Sequence, residues 1–451
     1  MAVTSEELGT QTIKKLLLKQ AVPASVGILF MSLNILIDTI FVGQWIGSLA
    51  IAAVTVVMPI SFLVSSLGMA IGVGGSSVLS RALGAKDQDK ALFTFGNQIM
   101  MTLLLSSFFV AVGLFFEEEM LRLFGAEGTI MAPAKEFFVP ILISAPFLAL
   151  CMMGNSVIRA EGKAKFAMFA MIVPAFANII FDIIFIKYLN LGMAGAAYAT
   201  AISYFLCFLF VLWFFVYKSE LRLQLKHFGF RIPIVSEITK LSFVTFARQG
   251  VVSILAIILN HILYKHGGEH SIAVYGIISR MLMFALFPVL GITQGFIPIA
   301  GYNYGAGNHH RVKETIQVSI KYAAIFATVI FVFILTFAES IVAIFTTDPI
   351  VIAETPNALR WVFAASPIIA VQLIGAAYFQ AAGLAKQALF LTLSKQGFFL
   401  IPLVLILPYF FGIFGVWISF PIADVLSTII TAYFLRRATN IEFKKDPDGI
   451  L

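Results

Sequence analysis

Charged residues are scarce in this sequence: 12% of its 451 positions, against 60% hydrophobic ones. That leaves too little polar surface to cover a water-soluble fold of this length. Long polar stretches are missing too. The apolar residues gather instead into repeated runs of roughly 20 to 25, the length of helix that crosses about 30 Å of hydrocarbon. There is no alternation of apolar and polar residues over about ten positions, which excludes an outer-membrane barrel. Cysteine is almost absent. Cys151 and Cys207 both sit inside apolar runs and read as small core residues rather than a disulfide or metal pair. No G-x-x-x-x-G-K-[ST] loop, H-E-x-x-H run or Ser/His/Asp constellation occurs within the runs. Nucleotide-driven transport and a membrane-embedded enzyme are therefore disfavoured, and no cofactor is expected. A cleavable signal is not expected either, because residues 1–12 are polar and the first apolar run is long enough to remain as a span.

The runs lie near 16–43, 51–78, 92–116, 137–158, 166–187, 192–216, 240–264, 272–302, 314–337, 357–380, 388–410 and 413–435. A lipid-facing backbone has no water to bond to, so each run must be helical. The expectation is an all-α membrane protein of twelve transmembrane helices. Lys and Arg then set its orientation. One side collects Lys14, Lys15, Lys19, Arg81, Lys86, Lys90, Arg159, Lys163, Lys165, Lys218, Arg222, Lys226 and Arg231. It also holds Arg311, Lys313, Lys386, Arg436, Arg437, Lys444 and Lys445, while the other has only Arg122, Lys135, Lys187, Lys265 and Arg360. Both termini are thus expected in the cytoplasm of a bacterial or archaeal cell, with the chain in its cytoplasmic (inner) membrane. This bias accounts for the net charge of +7, so no nucleic-acid partner is expected.

Sliding the sequence along itself, by the one shift that carries Gly84 onto Gly305, superimposes several landmarks. Gly84-Ala85 falls on Gly305-Ala306, Leu123-Phe124 on Ile344-Phe345, and Ala145-Pro146 on Ser366-Pro367. Arg159-Ala-Glu-Gly-Lys-Ala-Lys165 falls on Gln380-Ala-Ala-Gly-Leu-Ala-Lys386, and a one-residue slip aligns Gly192 and Gly195 with Gly412 and Gly415. An even number of helices per copy makes the repeat parallel. The expected organisation is an N-terminal six-helix lobe (1–217), a charged linker (218–240) and a C-terminal six-helix lobe (241–451), facing each other across a central cavity.

Four local patterns carry a resemblance to a known family. They are PASVGILFMSLNILIDTIFVG from Pro23 to Gly43, SRALGAK from Ser80 to Lys86, Arg159-Ala-Glu-Gly162 with its partner Gln380-Ala-Ala-Gly383, and Asn178-Ile-Ile-Phe-Asp182. In this order and spacing the chain resembles the multidrug and toxic compound extrusion (MATE) family over essentially its whole length, most nearly the prokaryotic branch related to the DNA-damage-inducible transporters. The resemblance implies export of organic, often cationic and amphipathic compounds against an inward flux of protons or sodium ions, by alternation between outward-open and inward-open arrangements.

An ionisable side chain inside the bilayer costs several kcal/mol, so each one needs a reason. Asp38 and Asp182 lie on odd-numbered helices that run in the same direction, each with an asparagine four residues earlier, Asn34 and Asn178. Residues four apart share a helix face. Two carboxylates and two carboxamides are therefore placed to face one small cavity, with Thr200 on the returning sixth helix at a similar level. Hard oxygen ligands suit sodium, and two close carboxylates favour one shared proton. The family resemblance implies that Asp38, Asn178, Asp182 and Thr200 form a cation site; Asn34 is added from spacing. The same residues also suit a plainer role, tying helices together by hydrogen bonds. Pro23 removes a backbone bond from the first helix, which reads either as a hinge that follows Asp38 protonation or as a packing kink.

The C-terminal copy differs. Asp38 falls on Leu259 and Asp182 on Leu403; the seventh span offers Arg248, Gln249, Asn260 and His261, and the tenth, on these boundaries, has no acid. Another branch of the family carries acids on its seventh and tenth helices, so a cation site in this half is placed in doubt. Asp424, near the middle of the last helix, reads as neutralising Arg280, Lys321 or Lys395, and His261 as a packed polar residue. Forty-six phenylalanines suit an adaptable apolar cavity as well as a lipid-facing surface. Gln294, Tyr302, Asn303 and Tyr304, in or near the eighth helix, read as lobe-interface contacts. The function expected is a cation-coupled antiporter acting as a monomer on small organic molecules within membrane lipid. The alternative is a flippase for a lipid-linked precursor.

Overall fold

A computed structural model describes residues 5–126, 128–345 and 348–443, with the backbone alone at Ser48, Glu269 and residues 441–443. Lys444 and Lys445, counted above among the basic residues, lie outside the described residues. Among the described residues, twelve helices are long and apolar enough to cross a membrane, as the runs predict. In chain order they are α1 (Ile13–Trp45), α2 (Leu49–Gly84), α3 (Gln88–Phe115), α4 (Gly128–Ala160), α5 (Ala164–Tyr188) and α6 (Gly192–Tyr217). The second set is α7 (Ile232–Gly268), α8 (His270–Gly305), α9 (His309–Phe345), α10 (Pro349–Ala381), α11 (Ala385–Phe411) and α12 (Ile413–Asn440).

Local chemistry sets the helix ends. Asp87 caps α3 by accepting the Lys90 N–H, and Asp348 caps α10 by accepting the N–H groups of Ile350 and Val351, with Pro349 in the first turn. This cap starts α10 well before the apolar run. It also brings Glu354 into the first turns of the helix, where the side chain is exposed; the expectation of an acid-free tenth helix is corrected to that extent. α4 and α10 end alike. Gly162 (φ 80°) and Gly383 (φ 81°) turn left-handed, and the next N–H reaches back to the Ile158 and Phe379 carbonyls at 3.1 and 2.8 Å. Lys86 (φ 59°) and Gly307 (φ 71°) make the same turn after α2 and α8. Both pairs are related by the shift that carries Gly84 onto Gly305, so the repeat is present in the backbone as well as in the letters.

Other irregularities are not shared. α10 is interrupted between Pro349–Val362 and Ile369–Ala381 by a tight turn at Ser366–Ile368, where Pro367 has no N–H to give. The matching Ala145-Pro146 lies inside an unbroken helix. α5 ends in a π-helical stretch, Ile183–Tyr188, and α11 contains another, Ser394–Leu400.

The helices pack into two compact units. One comprises the described residues up to Leu8 with Val26–Thr245; the other comprises Gly9–Ser25 with the described residues from Phe246 onward. α1 and α7, the first helix of each copy, are thus both divided. The N-terminal half of α7 belongs to the first unit, and that of α1 to the second. Small residues make room for them. A Cβ on Gly74 of α2 would lie 2.4 Å from Ser242 Oγ and 2.5 Å from Ser242 N, while one on Gly295 of α8 would lie 2.9 Å from the Ala21 nitrogen. These glycines too are equivalent positions of the repeat. Without a hydrophobic force between helices in lipid, such close backbone approach is a main source of helix association.

A polar cluster closes the α4–α5 turn in the first unit. Glu161, fully buried, accepts hydrogen bonds from the Ser219 hydroxyl and the Glu220 N–H (3.2 Å). Lys163 lies 3.4 Å from Glu161 and donates to the Lys218 carbonyl at 2.6 Å. Burial pushes the Glu161 carboxyl above the ordinary range, and Ser219 and Lys163 pull it back.

Two outcomes are expected from thermal unfolding of the purified protein in detergent. Gly74→Val and Gly295→Val each destabilise by about 1–3 kcal/mol or more through overpacking, whereas Gly250→Ala, whose Cβ meets nothing within 4 Å, does not. Glu161→Ala costs about 1–3 kcal/mol because it leaves the buried Ser219 hydroxyl and the Glu220 N–H without their acceptor, while Lys163 keeps Glu220 at 3.4 Å; Glu161→Gln is milder.

Candidate functional site

The first unit holds a row of polar side chains on α1, α5 and α6. Asn34 Nδ2 donates to Asn178 Oδ1 at 2.8 Å and to the Ala175 carbonyl at 3.3 Å. Asn178 Nδ2 donates in turn to Thr200 Oγ1 at 3.3 Å, and the Thr200 hydroxyl to the Ala196 carbonyl at 3.0 Å. One turn beyond each asparagine, the carboxyl groups of Asp38 and Asp182 come within hydrogen-bonding reach of one another. All five residues singled out from sequence spacing and motif are thus brought together.

The surroundings of the acids are apolar. Asp182 has no exposed surface, and Asn178 is 4% exposed. Both Asp182 oxygens and Asp38 Oδ1 are buried without a hydrogen-bond donor among the described residues, and no ion pair there involves either acid. Two bare like charges in contact inside a low-dielectric medium repel strongly. The set of oxygens is chemically suited to share a proton or to ligate a small cation, either of which would relieve that repulsion.

The local fold follows from sequence. Pro174 cannot donate to the Ala170 carbonyl one turn back; the Cys207 thiol of α6 donates to that carbonyl instead, at 3.0 Å. Cys207 thus ties α6 to α5 about two turns before Asn178, besides filling the core. Tyr204 was not anticipated. It follows Thr200 by four residues and lies close enough to Asp38 for the two groups to interact electrostatically. The same four-residue spacing that paired Asn34 with Asp38 would have found it.

Pro23 lies within α1, which stays helical through it, just before the helix passes from one unit to the other. In the second unit, the leucine matching Asp38, Leu259, is fully buried in the core, and Leu403 packs against the same cluster. Asp424 pairs with Lys395, Nζ to Oδ1 2.6 Å, which selects one of the three bases considered for it. His261, expected to be packed, is exposed. Tyr302 and Asn303 are buried beside the N-terminal half of α1 within the second unit, where Arg311 links the Asn303 side chain (2.9 Å) to the Gln11 carbonyl (2.7 Å).

Known proteins share this pattern along nearly the full chain. The family model described as MatE matches twice, over residues 23–184 and 245–406, so each six-helix copy carries its own match. Multidrug export protein MepA of Staphylococcus haemolyticus (strain JCSC1435) is 28% identical over 430 residues, 95% of this chain and 94% of that protein. MepA of Staphylococcus aureus (strain N315) is 28% identical over 439 residues, 96% and 97% of the two chains. Among solved structures, a MOP superfamily transporter from Pyrococcus furiosus aligns with a TM-score of 0.91 at 26% identity, covering 98% of this chain and 99% of that one. A structure described as MATE in the bent conformation aligns with a TM-score of 0.93 at 26% identity, covering 99% of both.

Asn178→Ala should remove both links of the amide row. It leaves Asn34 and Thr200 each short of a partner, and is expected to cost about 1–3 kcal/mol in unfolding of the purified protein. Thr200→Ala, which breaks only the last link, should cost less.

Proposed function

The chain belongs to the MatE family, and from that premise we propose that it exports organic, often cationic and amphipathic compounds by alternating access, coupled to inward movement of protons or sodium ions. The observation that carries the coupling part is the pair Asp38–Asp182, two buried carboxyls in mutual reach with no ion pair to either among the described residues. A coupling ion must be bound where leaving the site empty is costly, and this pair meets that condition. Asn34, Asn178 and Thr200 supply neutral oxygens and fix the separation of α1, α5 and α6. Binding and release of the ion between the carboxyls changes the attraction between α1 and α5. α1 passes between the two units just after Pro23, so a shift of this helix is the proposed link from ion to transport state.

Export as such is supported by relatives named as multidrug export proteins. Those names give no support to a flippase. The proposed location is a bacterial or archaeal cytoplasmic membrane with both termini inside, argued from the Lys and Arg bias. A monomer suffices, because each chain carries its own ion site. The closer placement beside the DNA-damage-inducible transporters rests on the quoted motifs alone.

The test is dye accumulation by inverted vesicles, in which export reads as uptake into the lumen, with the proton and sodium gradients collapsed separately. Collapse of the coupling gradient should stop export. Asp38→Asn should lower gradient-driven export by about tenfold or more, since the neutral amide cannot exchange a proton or balance a cation. If Asp38→Asn exports at the wild-type rate under both gradients, the coupling role is wrong. Lipid translocation without dye export would point to the flippase instead.

A further inference from the structure

We propose that the second unit contains a separate binding site for a small zwitterionic amphiphile, a molecule bearing an ammonium, a carboxylate and one apolar group about the size of a leucine side chain. A cavity of about 170 Å³ lies within that unit, comparable to one of about 150 Å³ that holds a benzene ring. Its walls are largely aliphatic and aromatic, with Val252, Leu282, Ile330 and Phe420 among them. Lys395 and Asp424 face it as an ion pair, and Tyr275, Ser366 and Gln396 add neutral polar groups.

The backbone around the cavity is irregular on three sides. The interruption of α10 falls at Phe363, Ser366 and Ile369, all of which line it. The π-helical stretch of α11 contains Lys395, Gln396 and Leu400. On α12, Pro421 stands three residues before Asp424 and withholds the N–H that the Trp417 carbonyl would accept. Broken helices at depth in a membrane protein occur where they border a cavity or a ligand, and π-helical turns gather at functional sites. None of the three has a counterpart at the matching place of the first unit: α4 is unbroken, its Pro146 included, and the π stretch of α5 falls at a different level.

Charge balance selects the ligand. Asp424 is 4% exposed, and among the described residues Lys395 is the one charged group paired with it. The pair is neutral overall. A simple cation or anion entering beside it would bring an uncompensated charge into a low-dielectric space, which is strongly unfavourable. A zwitterion adds none: its ammonium meets Asp424, its carboxylate meets Lys395, and its side group takes the apolar walls. This site stands on the second unit alone and does not depend on the export reading.

The experiment is equilibrium binding of labelled leucine to the purified full chain in nanodiscs, competed by leucine methyl ester, which keeps only the ammonium, and by 4-methylpentanoate, which keeps only the carboxylate. Leucine should bind saturably, and each single-charge analogue should compete at least about tenfold less well. The double variant K395M/D424L, which replaces the pair with apolar groups of similar size, should lose leucine binding by about tenfold or more. A second variant, A327L, fills the cavity and leaves the pair in place; it should also lose binding, so the outcome does not hang on one protein folding. The proposal is overturned by any of three results: no saturable leucine binding up to about 10 mM, analogues that compete as well as leucine, or undiminished binding in a folded variant. Dye efflux through Asp38 is a separate readout, so failure here is distinguishable from failure of the export reading.

Discussion

A polar group inside hydrocarbon has no water to fall back on, and that single cost organises this protein. It makes every span a helix, because only a helix satisfies its own backbone. It removes charge from the spans except where a partner or an ion can answer it. It also means that helices adhere by close approach and hydrogen bonding rather than by excluding water, so glycines and amide side chains sit at the contacts. Gly74 against Ser242, Gly295 against Ala21 and Asn34 against Asn178 are three instances of one constraint.

The two copies of the six-helix unit answer that constraint differently. They share the turn conformations after α2, α4, α8 and α10. Their polar interiors differ. The first unit gathers two buried acids, Asp38 and Asp182, with no ion pair to either among the described residues. The second has buried leucine at the position of Asp38 and, elsewhere, an acid balanced by a lysine. The two copies thus share their helix order and turn conformations, while the backbone breaks of α10 and α11 and the internal charges are particular to one copy.

The first helix of each copy is divided between the units. Each copy gives the N-terminal half of its first helix to the other unit, and the glycines that receive those halves are repeat-related. Asp38 lies on the part of α1 that stays with the first unit, and Pro23 near the point of transfer.

Much of this was legible in the letters. Hydrophobic runs long enough to span are unambiguous, so twelve helices and their parallel repeat followed from spacing alone. The Asn34/Asp38 and Asn178/Asp182 faces followed from the helical period, since residues four apart must share a side. Tertiary structure was needed wherever the outcome depended on which side chain lies across from which. It chose Lys395 over Arg280 and Lys321 for Asp424, placed Tyr204 within electrostatic range of Asp38, exposed His261, and began α10 earlier because Asp348 caps it. Most of all, it decided that α1 and α7 are each split between two units. Helical periodicity records which residues share a face of one helix; it holds no information about which other helix that face will meet, because lipid and protein neighbours are equally apolar.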